Sequence, residues 1–550
     1  MNGQTRRGVA RGRRRSVVAV AVVVLLIAGF GAALVGASPV GAAVDATKDT
    51  DAANAVDAAN TADATNAANT ADAYDDPLAN ESGTVEVIVR FDPLSDPESA
   101  AEPVAELQEH ADDEQSGFES FADDHADITV ETEFWLANAM LVTVDADEVD
   151  TDDLLAVENV TAVHENVRIE TLDTSGTATK SDAAGAVETT TTQSQTTYGL
   201  EMVGAPAVWD AHDTRGEGAT VAVIDTGVDP SHQDIELSGW VAFDDDGNVT
   251  STDVADATDP DGHGTHVAGT VAGGDASGTH IGVAPGANLY GIDTFGEGGS
   301  ATFAAVVGGM EHATADDEID VLQMSLGANG TFSGFIRPVR NARAADKLVV
   351  AAAGNDGHET SSSPANVYDS LAVGAVRSDR TVAGFSGGQP INRTASFPNA
   401  PADWPEHYVV PDVTAPGVAI PSAEAGTTDG YVELQGTSMA APHVAGVAAL
   451  AISATEGRIT MAELHDILID EAVHPEGASE PDDRYGHGIV DGEAVVEAAM
   501  AAAPPTETPT DTPEEIEPSD TADDAPGFGA IPALAALAVV LVALTARRRD

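Results

Sequence analysis

The sequence predicts an α/β protein with a mainly parallel β-sheet, preceded by a smaller α+β region. Two continuous apolar runs, 220–224 and 348–352, are typical of strands buried on both faces, as parallel strands are. Stretches of small and apolar residues at 265–272 and 438–450 are compatible with helices that cover such a sheet. The region 198–498, about 300 residues, is long enough for a single large core, so we predict one α/β domain there.

Side chains that suit acyl transfer follow these elements. Asp225 ends the first apolar run, at the sheet edge where ligands of open α/β sheets bind, and Asn355 follows the second run. His263 precedes the first helical stretch, and Ser438 opens the second. A serine hydroxyl needs a histidine base near neutral pH, and an aspartate can orient that base. The set predicts a serine hydrolase, with the Asn355 amide and the Ser438 N–H stabilising the oxyanion.

The segments around these residues together resemble the subtilisin (subtilase) family. In chain order they are Asp225-Thr226-Gly227, His263-Gly264-Thr265-His266, Ala353-Gly354-Asn355 and Gly436-Thr437-Ser438-Met439-Ala440. Asp, His, Ser is also the order of the catalytic residues in that family. The resemblance covers residues 198–498 and implies a three-layer subtilisin-like fold and a serine endopeptidase. A non-catalytic surface or adhesion protein on the same scaffold is the alternative.

The resemblance also implies how a substrate is bound. Ser325, Leu326 and Gly327 are expected to pair with an extended substrate backbone as an added strand. Ala352 and Gly354 are expected to line the neighbouring pocket, where small residues leave room for a large side chain.

A structural calcium site is implied at Asp234 and the loop 274–280, while no catalytic cofactor is expected. Calcium requires a cage of oxygen ligands. Ala276 stands near the position where the family has an asparagine ligand, so the site is left open between a calcium site and an ordinary acidic surface loop.

Residues 84–172 form the predicted α+β region. Three segments, 84–90, 137–144 and 157–165, have strand patterns, with polar helical segments between them. The region resembles the inhibitor propeptide of subtilases, which assists folding and then caps the active site; an accessory domain is the alternative. The Ser-, Thr- and Ala-rich segment 173–197 is then a cleavage linker, with the first cut expected between Asp173 and Tyr198.

The composition is extremely acidic. Asp and Glu number 92 against 23 Lys and Arg, which gives a net charge of −69. Such self-repulsion destabilises a compact chain unless salt screens it, so we predict a halophilic protein. The chain resembles subtilases of haloarchaeal type. A polyanion-like binding protein is the weaker alternative. Nucleic-acid binding is disfavoured because no basic patch lies outside the two ends, and with no Cys there is no disulfide framework.

The two ends predict export and attachment. Residues 1–43, with arginines before an apolar run, resemble an export signal, although an uncleaved anchor is the alternative; the tract 44–83 is acidic and of low complexity. The Thr-, Pro- and acid-rich composition of residues 499–525 predicts an extended stalk. The end, 526–550, resembles the surface-sorting signal read by archaeosortases, which would exchange the apolar tail for a membrane lipid. A plain transmembrane anchor is the alternative. The predicted location is the outer face of the cell membrane or the cell surface, with release into the medium as the alternative.

Overall fold

The computed structural model describes residues 76–95, 97–172, 179–180, 195–296, 299–475, 477 and 481–505. All of them belong to one compact unit, residues 67–550, and the other unit, residues 1–66, lies outside the described residues. The predicted export signal, most of the low-complexity tract, most of the linker and the chain from residue 506 onward also lie outside them.

The first part of the described chain is a four-stranded antiparallel sheet with the strand order β2-β3-β1-β4. The strands and helices of this part are β1 (Thr84–Phe91), α1 (Pro103–Asp123), β2 (Ile128–Phe134), β3 (Ala139–Asp145), α2 (Thr151–Leu155) and β4 (Val160–Glu165). Val87 and Val89 on one face of β1 pack in the same apolar cluster as Phe118 of α1. Ile88 points to the opposite face and packs in a cluster of the larger body. The sheet is therefore covered on both faces, as its alternating pattern requires.

Three of its four strands lie where the sequence predicts them, and β2 was not predicted. Its apolar positions alternate at Ile128 and Val130, but Thr132 follows in place of an apolar residue. The pairing of β2 with β3 shifts register between Val130 and Thr132. A strand with such an irregularity lacks the continuous two-residue period by which strands are recognised.

The larger body is built on an eight-stranded sheet with the order β19-β16-β14-β12-β7-β10-β8-β9. Its strands are β7 (Thr220–Asp225), β8 (Leu237–Phe243), β9 (Val249–Ser251), β10 (Asn288–Asp293), β12 (Val321–Met324), β14 (Leu348–Ala352), β16 (Leu371–Val376) and β19 (Val413–Pro416). All neighbouring pairs are parallel except β8 and β9. In β7, Val221 and Val223 face one apolar cluster, and Ala222 and Ile224 face the other.

Helices cover both faces of this sheet. They are α3 (Tyr198–Met202), α4 (Ala205–His212), α5 (His263–Ala272), α6 (Phe303–Ala315), α7 (Ile336–Ala344), α9 (Thr437–Ala454), α10 (Met461–Asp470) and α11 (Gly492–Ala502). Helices α5 and α9 contribute to the first cluster, and α6 and α7 to the second. The predicted three-layer α/β fold with a mainly parallel sheet is confirmed. Within the described chain, α9 is the helix long and apolar enough to cross a membrane, but its residues are buried in this core.

Small strands complete the molecule. They are β5 (Arg168–Thr171), β6 (Thr179–Lys180), β11 (Ala301–Thr302), β13 (Leu326–Asn329), β15 (Ser362–Ser363), β17 (Gln389–Asn392), β18 (His407–Val410), β20 (Ile420–Ala423) and β21 (Tyr431–Leu434). One sheet has the order β11-β5-β13-β15, so β5 joins the body as an inner strand. Strands β17 and β18 form a hairpin, with the short helix α8 (Arg393–Ser396) in the segment between them. Its Trp404 is buried, and the indole N–H donates to Asp369 at 2.8 Å.

Candidate active site

The first pair of predicted site residues meets between β7 and α5. His263 Nδ1 lies 2.7 Å from Asp225 Oδ1, and both side chains are buried. The Thr226 N–H donates to the same oxygen at 2.8 Å. In a neutral histidine with Nδ1–H bonded to the carboxylate, Nε2 carries the lone pair and can act as a base. The turn after β7 and the start of α5 approach each other closely. A Cβ added to Gly264 would lie only 2.0 Å from the carbonyl oxygen of Gly227, so a larger residue does not fit there.

Ser438 and Asn355 converge on a single carbonyl oxygen. Ser438 is the second residue of α9 and is buried; its hydroxyl donates to the carbonyl of Leu172. The Asn355 amide N–H donates to the same carbonyl. An amide N–H that donates to a carbonyl oxygen beside a serine hydroxyl is an arrangement that acyl transfer requires. Donation from the Ser438 backbone N–H stays a prediction.

Thr437 was missed by the sequence reasoning, although it lies beside the serine. Its N–H and its hydroxyl donate to Asn355 Oδ1 at 2.9 and 3.0 Å. Because the amide oxygen is held by two donors, the NH₂ group is turned toward Leu172. No pattern in the sequence indicates this role, since threonine is an ordinary residue at the start of a helix.

The chain before Leu172 lies in the predicted substrate groove as a strand. Strand β5 pairs antiparallel with β13, with Thr171 opposite Leu326 and Glu170 opposite Gly327. On its other side β5 pairs with β11. The Leu172 N–H donates to the carbonyl of Ser325 at 3.2 Å. All three residues predicted to pair with substrate backbone therefore contact this segment.

The side chain of Leu172 is buried at the predicted pocket. It is 5 % exposed and belongs to the same apolar cluster as Ala352. Its Cδ1 lies 3.3 Å from the position that a Cβ of Gly327 would take, so a larger residue there would crowd it. The Gly354 N–H donates to Thr437 Oγ1 at 3.2 Å, which links the backbone at this predicted pocket residue to the residue that orients Asn355.

Both carboxylate oxygens of Asp234, the residue predicted to bind calcium, accept hydrogen bonds from the protein. One carboxylate oxygen accepts the Ala276 N–H at 2.8 Å, and the other accepts the Tyr431 hydroxyl at 2.5 Å. The carbonyl of His280, in the same loop, accepts the Thr197 N–H. These oxygens thus already accept hydrogen bonds, and the described residues contain no group of three or more His, Cys, Asp or Glu that could hold a metal. The structure does not show the predicted calcium site, which stays a prediction.

The fold and the site together define a class: a three-layer α/β serine hydrolase. Residues 216–488 match the subtilase family. Subtilisin DY of Bacillus licheniformis is 39% identical over 260 residues, covering 46% of this chain and 84% of that protein. Subtilisin E of Bacillus subtilis (strain 168) is 35% identical over 304 residues, covering 54% and 71%. M-protease of Shouchella clausii (strain KSM-K16) is 36% identical over 263 residues, covering 48% and 61%.

The chain belongs to the subtilase family. It is a subtilisin-like serine endopeptidase.

Proposed function

We propose that this endopeptidase cleaves peptide bonds through an acyl-enzyme on Ser438, and that it is made as a zymogen whose first substrate is its own chain. The observation that carries the proposal is the Leu172 carbonyl, which accepts hydrogen bonds from both Ser438 and Asn355 at the end of a strand paired in the groove. This is how a substrate peptide would bind.

In the proposed reaction, His263 Nε2 takes the hydroxyl proton as Ser438 Oγ bonds to the peptide carbonyl carbon. Asp225 holds the imidazole in position and stabilises its positive charge. The carbonyl oxygen becomes an oxyanion, which Asn355 stabilises. His263 then gives the proton to the leaving amine as the C–N bond breaks. Water, deprotonated by the same histidine, hydrolyses the acyl-enzyme and frees Ser438.

The geometry favours one bond for the first cleavage, Leu172–Asp173. This is the bond at the start of the predicted linker, one position before the range expected from the sequence. Strand β5 would supply the residues before the cut, with the buried Leu172 in the pocket and the buried Ile169 in the apolar cluster beside α6. Because the product strand stays paired on both sides, residues 84–172 would remain bound as an inhibitor until they are degraded.

The test uses the full-length chain. The Ser438→Ala precursor is expected to stay uncut when made alone in a host without other proteases, and to be cut after Leu172 when a trace of active enzyme is added. Mass spectrometry of the new ends identifies the bond. Leu172→Asp should slow this cut, because it places a charge in an apolar pocket, while the exposed neighbour Glu170→Gln should not. Normal maturation of the Ser438→Ala chain would contradict the proposal.

Reaction with a fluorophosphonate separates the catalytic proposal from a non-catalytic scaffold. The mature enzyme is expected to be labelled at Ser438. The Ser438→Ala variant should not be labelled, whereas Ser453→Ala, far along the same helix, should be labelled normally. Absence of labelling in the folded mature enzyme would favour the surface or adhesion protein.

We also propose, from the sequence, that the enzyme is exported, halophilic and held at the cell surface by its C-terminal end. Truncation after Asp524 should then release active protease into the medium. If an archaeosortase-like enzyme exchanges the tail for lipid, mature surface protein should lack residues 530–550. Peptides of that segment recovered by mass spectrometry would instead indicate a transmembrane anchor.

A further inference from the structure

A buried carboxylate outside the predicted set lies next to the Asp225–His263 pair. Asp259 is 6 % exposed and precedes α5 by four residues. Its Oδ1 accepts the Thr226 hydroxyl at 2.9 Å and the Gly262 N–H at 2.8 Å. Its Oδ2 accepts the N–H and the hydroxyl of Thr265 at 2.8 and 2.7 Å. A single side chain thus accepts four hydrogen bonds.

These bonds replace an ordinary helix cap. The residue before α5 is Gly262, which has no side chain to cap the helix and has a φ of 96° that favours glycine. Asp259 instead accepts the free Thr265 N–H of the first turn, and Thr226 Oγ1 accepts that of Gly264 at 3.0 Å. The negative charge also lies at the positive end of the helix.

Asp259 therefore connects two separate elements. Thr226 belongs to the turn that carries Asp225, and Thr265 to the helix turn that carries His263. Since Asp259 binds both, a movement of either turn would have to break one of its bonds. Asp225 and His263 themselves are joined across the same two elements by one contact, 2.7 Å between Asp225 Oδ1 and His263 Nδ1.

We propose that Asp259 is a positioning residue that holds Asp225 and His263 in register, without touching the substrate itself. The proposal rests on the proposed roles of those two residues. Asparagine is the informative replacement, because it keeps the size but turns one oxygen into an NH₂ group. That group would face a backbone N–H of Gly262 or of Thr265, and two donors cannot bond to each other.

The experiment measures kcat and KM of mature Asp259→Asn enzyme, released by added active enzyme if it fails to cut itself. Displacements of about 1 Å can cost about 10²-fold in rate, so we expect kcat to fall about 10- to 100-fold. KM should change less than about twofold, because the substrate groove is untouched, and labelling by a fluorophosphonate should slow in proportion to kcat. The control is Asp412→Asn, at a partly buried carboxylate that accepts the Ala372 N–H and should keep kcat when it is changed.

Thr226→Val provides a second measurement, needed if Asp259→Asn does not fold. It removes one donor to Asp259 and the acceptor of the Gly264 N–H, so kcat should fall in the same way. Where both single variants fold, kcat of the double variant should fall by less than the product of the two single-variant fold-changes. Unchanged kcat in either folded variant, or a loss no larger than that of Asp412→Asn, would overturn the proposal. His263→Ala is assayed alongside: if it stays active the catalytic roles themselves fail, whereas an inactive His263→Ala with a fully active Asp259→Asn rejects the positioning role alone.

Discussion

The amide of Asn355 has two chemically different ends, and only its NH₂ end can stabilise an oxyanion. Thr437 selects that end by donating twice to the amide oxygen. Since the orientation is fixed before any substrate carbonyl arrives, no reorganisation is needed as negative charge develops, which is what makes such donors effective.

Asn355→Ala is expected to lower kcat by about 10²–10³ with little change in KM, a range measured for loss of this donor in a subtilisin and carried over from it. Steady-state kinetics on a peptide substrate measures the changes in kcat and in KM separately. Asn288→Ala, which removes an amide bonded to Thr220 at the far end of β7, serves as the control. An equal rise in KM would mean that Asn355 binds the ground state instead.

Ser438, His263, Asp225 and Asn355 could be picked out from the sequence because few other side chains provide their chemistry and because they occur in a recognisable order, and their catalytic roles stay predictions. Asp259 and Thr437 could not be picked out. Their residue types are common in loops and at helix starts, and their roles depend on which partners the fold brings to them.

Asp234 shows the opposite case, where a residue matches a family position but its neighbours do not support the family's ligand. We expect a chelator at constant ionic strength to leave the melting temperature of the Ser438→Ala chain unchanged. Tyr431→Phe should lower it by about 2–4 °C, because it removes a donor to a buried carboxylate. Calorimetry measures both, with Tyr485→Phe, whose hydroxyl is bonded at the surface, as the control. A large loss of stability on chelation would restore the calcium site.

At the scale of elements, helix α6 supplies a titratable contact between the body and the α+β region. Glu311 accepts the Leu136 N–H at 2.9 Å. Burial raises the pKa of Glu311 to about 8, although its bonds to the Leu136 and Trp135 backbone lower it. The pKa of His164 shifts in the opposite direction to that of Glu311. Its ring lies between those of Phe303 and Phe332, and burial lowers its pKa to about 3.

These shifts predict how pH affects release of the cleaved region. We expect the pKa of Glu311 to return to its ordinary value of 4.5 when the α+β region leaves. A carboxyl whose pKa is higher in the complex contributes its stabilisation fully below 4.5 and loses it as pH rises to about 8. His164 loses its contribution only as pH falls below 6.5, so between pH 6.5 and 8 Glu311 dominates. Release should therefore be faster at pH 8 than at pH 6.5.

Gel filtration of the cleaved Ser438→Ala complex over this range measures the effect. Glu311→Gln should abolish most of the pH dependence, because glutamine keeps an acceptor for Leu136 but does not ionise. Glu318→Gln, an exposed carboxylate just after α6, should leave it unchanged. A pH dependence that survives in Glu311→Gln would assign it to other groups. The sequence could not reveal this contact, since a glutamate on a helix predicts a solvated position.

For the whole molecule, the dominant quantity is charge. A net charge of −69 creates repulsion that acts on the folded chain at every surface. At 0.1 M salt the screening length is still about 10 Å, too long to separate neighbouring carboxylates. The Ser438→Ala chain is therefore expected to lose its circular dichroism signal in dilute buffer and to regain it in molar KCl.

A neutral osmolyte at matched osmolality is the control, because it stabilises by exclusion without screening charge. Recovery in the osmolyte equal to that in KCl would argue against a screening mechanism. A protein that stays folded in dilute buffer would contradict the prediction that the enzyme is halophilic.

The inner position of β5 has a further consequence. Strands β11 and β13 both pair with β5, so the occupant of the groove is bonded along both edges, between flanks about 10 Å apart. Only a single extended chain fits such a slot. A folded protein must open locally over several residues before it can enter, so its cleavage rate follows the equilibrium population of opened segments. Substrates of such a groove are selected by the local stability of their chain as much as by their sequence. Proteins without locally unfolded segments are expected to resist cleavage.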